Sequence, residues 1–197
     1  MRFWAKSRGL GWYAGACVAV SLAVVSVQQL ALFAPNLLTG QMNQFSASYV
    51  LTAIPILFWT ILVERSLCPY DGVSLRTREV AVLDLLAGLL PVLLCAIVLY
   101  STMNPLLQGA ARNFLFFFAM GTTALSVRRR YFAFALPALY LFACAVAGFS
   151  YASNVPKEWA FILGEWAPAR DEYTIALSLL VACSFYVFRQ GRRIVVA

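Results

Sequence analysis

Six apolar stretches dominate the chain, and the charged residues gather in the short connectors between them. A helix needs about 20 residues, within a range of about 17–25, to cross roughly 30 Å of hydrocarbon. The stretches that approach this length run from 10 to 33, 46 to 63, 80 to 100, 106 to 127, 131 to 150 and 173 to 188. Of the 197 residues, 62% are hydrophobic and only 12% charged, against about 45–50% and about 25% in soluble domains. Too few polar groups remain to cover a water-facing surface. The expected fold is therefore all-α: one polytopic domain, residues 1–197, of six transmembrane helices.

Lysine and arginine set the expected orientation. With the N-terminus in the cytoplasm, the inner segments hold Arg2, Lys6 and Arg8, then Arg65, Arg76 and Arg78, then Arg128 to Arg130, then Arg189, Arg192 and Arg193. The outer segments hold only Arg112, Lys157 and Arg170. This bias over short loops predicts a multi-pass protein of the cytoplasmic (inner) membrane with both termini inside. The net charge of +7 then faces anionic lipid, and nucleic acid is not an expected partner. The basic start followed by an apolar run resembles a signal peptide. That run is too long for one, and Gln28-Gln29-Leu30 offers no small-x-small cleavage site; an uncleaved first span is expected. Phe3 and Trp4 among Arg2, Lys6 and Arg8 suit either a short interfacial piece or a frayed basic tail.

Two connectors exceed a minimal turn. The inner one, Glu64 to Glu79, contains the turn-forming run Cys68-Pro69-Tyr70-Asp71-Gly72, and Ser74 is a candidate N-cap for a short helix leading into the third span. The outer one, Tyr151 to Glu172, predicts a short amphipathic helix from Pro156 to Ala167 between spans five and six. Trp159, Ile162, Leu163 and Trp166 fall at i, i+3, i+4 and i+7, on one face. At about 1.5 Å per residue it is too short to span, and its tryptophans suit an interface.

Site chemistry is sparse. With no histidine in the sequence, His-ligated haem, His-based zinc and Ser-His or Cys-His triads are excluded. No Gly-rich phosphate loop, buried acidic pair or nucleophile beside a base is present. No catalytic residue, metal or cofactor is expected, and the chain does not read as an enzyme. Cys17, Cys95, Cys144 and Cys183 lie inside apolar runs and Cys68 in a loop. They read as small free hydrophobes rather than disulfide partners. Arg112, near the outer end of the fourth span, is read either as a cation paired with Glu158 or Glu165, or as an interfacial anchor. Asp84, about one turn inside the third span, is expected to pair with Arg76 or Arg78. Gly15, Ala19 and Ala23 form a small-residue stripe on the first span. Pro55 is expected to kink the second span, while Pro91 lies in the middle of the third and Pro137 in the first turns of the fifth.

This layout resembles the membrane subunit of type-2-exporter-like ABC transporters: six helices with both ends inside, a charged loop between spans two and three, and a short outer helix before span six. The resemblance implies an exporter permease driven by a separate cytoplasmic ATPase and working beside a second membrane subunit. It would place ATPase docking on Leu75, Arg76, Arg78 and Glu79, and an outer gate or interface on Arg112, Trp159, Ile162, Leu163 and Trp166. Two other resemblances stay open. Substrate-binding subunits of energy-coupling-factor vitamin importers are similar in size, and Asn36, Gln41, Asn43 and Gln44 give the first outer loop polar character. An accessory, immunity or assembly protein acting by helix packing needs no polar pathway at all.

Overall fold

The computed structural model describes residues 9–36, 40, 42–66, 77–126, 132–150, 155–164 and 168–192. The chain is mostly helical. In order it forms α1 (Leu10–Ser26), a hairpin of β1 (Ala31–Pro35) and β2 (Met42–Ser46), α2 (Ala47–Leu51), α3 (Ile54–Ser66), α4 (Thr77–Ser101) and α5 (Pro105–Ser126). These are followed by α6 (Phe132–Ala147), a 3-10 helix (Glu158–Leu163) and α7 (Pro168–Arg192).

The first apolar stretch does not stay helical to Phe33. α1 stops at Ser26 and the chain turns through Val27 to Leu30 into β1. The antiparallel register pairs Ala31 with Ser46, Phe33 with Gln44 and Pro35 with Met42. Gly40 closes the turn, its N–H donating to Asn36 O at 2.7 Å and its φ of 70° lying in the left-handed region that glycine adopts without penalty. A sheet edge ends naturally at Pro35, which has no N–H to donate. Asn43 turns inward, is buried, and donates from Nδ2 to Ala145 O at 3.0 Å, tying the hairpin to the end of α6.

The second stretch is also divided. α2 ends at Leu51, Thr52 Oγ1 folds back onto Tyr49 O at 2.6 Å, and α3 restarts at Ile54. Pro55 therefore sits in the first turn of α3, where its missing N–H costs nothing. Pro91 and Pro137 lie inside α4 and α6. Of the expected helix from Pro156 to Ala167, the described part forms a 3-10 helix over Glu158–Leu163, and Glu165, Trp166 and Ala167 lie outside the described residues.

α5 is the hub, packed against α3, α4, α6, α7 and the 3-10 helix. Its Phe114, Phe117 and Phe118 are buried, and Phe116 packs edge-on against Phe161 at 5.0 Å. A second centre joins α1, α3 and α4. The Trp59 ring lies 5.4 Å from Tyr13 and 6.2 Å from Phe118, and Gly88 leaves room for it, since a Cβ there would meet the indole at 2.5 Å. The Tyr13 hydroxyl donates to Gly88 O at 3.0 Å. Tyr13→Phe is expected to lower stability by about 1 kcal/mol, the usual net worth of one such bond, read as a small drop in the thermal midpoint of the purified chain.

The outward faces are apolar. Leu22, Phe58, Leu94, Phe142 and Leu180, one from each of α1, α3, α4, α6 and α7, are exposed by between 45% and 65%. Among the described residues, the 20-residue stretch Val82–Ser101 is the helix long and apolar enough to cross a membrane, with a mean hydropathy of 2.7 over an 18-residue window. The apolar segments Leu10–Ser26, Ala47–Val63, Ala135–Ala147 and Thr174–Val187 are shorter.

Candidate functional site

Long-range hydrogen bonds gather several element ends at one end of the bundle. Asn104, in the turn between α4 and α5, donates to Gln28 Oε1 beyond the end of α1 at 3.1 Å. Gly148, just past α6, accepts from Lys157 N at 2.6 Å, and Phe149 bridges to Pro156. The hairpin, the α4–α5 turn and the 3-10 helix thus form a cap over this end.

Beneath the cap lies a buried charge network. Arg112, on the third turn of α5, and Asp171, in the first turn of α7, are both 0% exposed. Arg112 Nη1 meets Asp171 Oδ2 at 2.6 Å. Nη2 donates to Gly164 O at 2.9 Å, just after the 3-10 helix, and Nε donates to Asn113 Oδ1 at 3.0 Å. Asn113, also fully buried, uses its Nδ2 to hold Ile162 O at 2.7 Å. The guanidinium lies 5.3 Å from the centre of the Phe161 ring. Arginine suits this position because its planar fork satisfies three acceptors at once while remaining charged. Asp171 gains further from the amides at the start of α7. The result is a three-way clasp of α5, α7 and the 3-10 segment, each group desolvated and matched.

The sequence-derived outer set is mostly reunited here. Ile162 and Leu163 are buried against α5, and the Trp159 carbonyl accepts from the Tyr140 hydroxyl while its side chain is 44% exposed. Two details differ from expectation. Arg112 is wholly buried rather than an interfacial anchor, and its carboxylate partner among the described residues is Asp171 rather than Glu158, while Glu165 lies outside the described residues. Asp171 and Asn113 escaped the sequence reading. A signal for Asp171 did exist: it is an acid in the first turn of the last helix, at the same end of the bundle as Arg112.

The inner loop is less fully described. Leu75 and Arg76 lie outside the described residues, as does Cys68, while Arg78 and Glu79 fall in the first turn of α4. Asp84 is buried, at 8% exposure. Gly15 and Ala19 face outward on α1, and a Cβ at Gly15 would meet nothing within 4 Å. Cys17, Cys95, Cys144 and Cys183 are free thiols. Among the described residues no group of histidine, cysteine and acidic side chains is arranged to hold a metal.

No protein-family model, curated protein or solved structure matches the chain.

Proposed function

We propose that the chain is the multi-pass membrane subunit of an ABC-type exporter, crossing the cytoplasmic membrane six times and driven by an ATPase on a separate chain. The observation that carries the membrane part is the exposed apolar face on each of five helices, represented by Leu22, Phe58, Leu94, Phe142 and Leu180. Soluble monomers rarely expose contiguous apolar patches beyond a few hundred Å², whereas lipid covers such faces without cost. The shorter apolar helices reach across a bilayer by tilt, by local thinning or with help from flanking segments.

The transport part draws support from the polar interior. Ionisable residues inside a membrane bundle are expensive and mark moving or conducting parts more often than static ones. In this reading the Arg112–Asp171 clasp holds the outer end shut by locking the 3-10 segment between α5 and α7. The region leading into α4, with Arg76 before the helix and Arg78 and Glu79 in its first turn, receives the ATPase. Opening requires α7 to separate from α5 at its outer end.

The test is purification of the tagged chain in mild detergent, with mass spectrometry of what accompanies it. An ATPase-type protein is expected with the wild-type chain and is expected to be lost when Arg76 and Arg78 are both changed to glutamate. A reporter fused after Arg130 is expected on the cytoplasmic side. A correctly inserted chain that brings no ATPase would reject the permease reading and leave the accessory one.

A further inference from the structure

At the capped end lies a cavity of about 530 Å³, between the hairpin above and the starts of α2 and α5 below. Its volume falls within the range of small-molecule sites, roughly 300–1,000 Å³. The polar side chains that line it are the amides of Gln28, Gln29 and Gln44 and the hydroxyl of Ser46. Phe45 and Tyr49 supply aromatic surface, and Leu163 and Leu106 close the apolar side. Among the described residues no lysine, arginine, aspartate or glutamate lines it.

The wall is fixed while part of the lining stays available. Ser46 donates to Gln28 O at 2.8 Å and meets the Ser48 hydroxyl at 2.7 Å, and Gln28 Oε1 accepts from Asn104. These bonds hold the hairpin against α1 and the α4–α5 turn. The side-chain amides of Gln29 and Gln44, by contrast, make no hydrogen bond among the described residues and are exposed. Each amide offers both a donor and an acceptor.

We propose that this cavity binds a neutral saccharide unit. A charged ligand would give up hydration with no opposite charge to replace it. A purely apolar ligand would strand the amides. A sugar presents hydroxyls that match amide donors and acceptors around its rim and an apolar C–H face that packs on an aromatic ring. Leu163, on the cavity floor, adjoins Gly164, whose carbonyl is held by Arg112. A bound sugar therefore presses on the segment that the charge clasp holds, and its binding steadies the capped end.

The test uses the full chain in a polyoxyethylene detergent, whose head carries no sugar. Calorimetric titration with N-acetylglucosamine is compared with the cationic glucosamine and the anionic glucuronate. The neutral sugar is expected to bind and the two charged ones to bind at least about tenfold more weakly. A second arm presents the same headgroup on an alkyl glycoside in the micelle. Tighter binding there identifies a glycolipid as the source, and equal binding identifies the free sugar; either agrees with the proposal. Gln29→Leu/Gln44→Leu alters only exposed side chains and is expected to weaken binding at least about tenfold, with an unchanged melting profile. Ala31→Trp fills the cavity and is expected to abolish binding. No binding of any neutral sugar, equal binding of charged ones, or insensitivity to Gln29→Leu/Gln44→Leu would overturn the proposal. Binding needs neither ATPase nor nucleotide, so its failure and that of the permease reading are separate results.

Discussion

Arg112→Leu is expected to be among the most damaging single changes in this protein, lowering stability by roughly 3–5 kcal/mol. The loss comes less from the missing attraction than from what stays behind. Asp171 would remain at 0% exposure with its 2.6 Å cationic partner gone, and Gly164 O and Asn113 Oδ1 would each lose a donor. Asp171→Leu is expected to cost a similar amount, because the desolvated guanidinium loses the carboxylate that meets it at 2.6 Å. The double variant Arg112→Leu/Asp171→Leu is expected to recover much of the loss, since burying two charges is itself expensive and an apolar pair avoids that cost. Arg112→Lys keeps the charge but not the planar fork, so it should fall between wild type and Arg112→Leu. Thermal midpoints of the purified variants give a double-mutant cycle. Additive losses, with the double variant worse than either single, would show that the two side chains do not act as a pair. In the permease reading, the recovered double variant should also be stable yet altered in transport, because its outer end lacks a charge-dependent lock.

Much of the helical layout was readable because long apolar runs bounded by arginines have few alternatives. The expected stretch 80–100 corresponds to Thr77–Ser101, and 106–127 to Pro105–Ser126. The hairpin was not readable for a physical reason. Leu30 to Phe33 continues the apolar run of α1, and apolarity alone does not separate the end of a helix from a five-residue strand. The clue lies in Pro35, Asn36 and Gly40, turn-forming residues that follow the apolar run and allow the chain to reverse. The site was half legible. Arg112 stood out as an arginine in an apolar run, and Ile162 and Leu163 as part of an outer segment. The expected partners were Glu158 and Glu165, whereas the fold delivers Asp171, an acid of the same outer segment that is taken into the first turn of α7. Asn113 was passed over because a neutral amide beside an arginine carries no signal until its acceptor, Ile162 O, is seen.

The second large effect is expected at Gly148, where the cap joins α6. A Cβ built there would lie 2.3 Å from Cys144 O and 2.5 Å from the Ala160 Cβ. The first neighbour is backbone, already bonded to Gly148 N at 2.9 Å, so no rotamer change relieves it. Gly148→Ala should cost about 3 kcal/mol, the upper part of the usual range for overpacking. The damage should spread along one path. Gly148 O holds Lys157 N, Lys157 O holds Ala160 N, and Ile162 and Gly164 supply the carbonyls gripped by Asn113 and Arg112. Pushing the 3-10 segment away therefore loosens the charge network from a distance, and Gly148→Ala combined with Arg112→Leu should lose less than the sum of the two. Gly148→Ala/Ala160→Gly removes one clash and keeps the other, so it should recover only a minor share. Gly15→Ala provides the contrast. With open space around it on the face of α1, it should raise stability by about 0.5–1 kcal/mol through better helix propensity. Equal thermal midpoints for Gly148→Ala and Gly15→Ala would mean that the cap is not seated on α6 as closely as these contacts require.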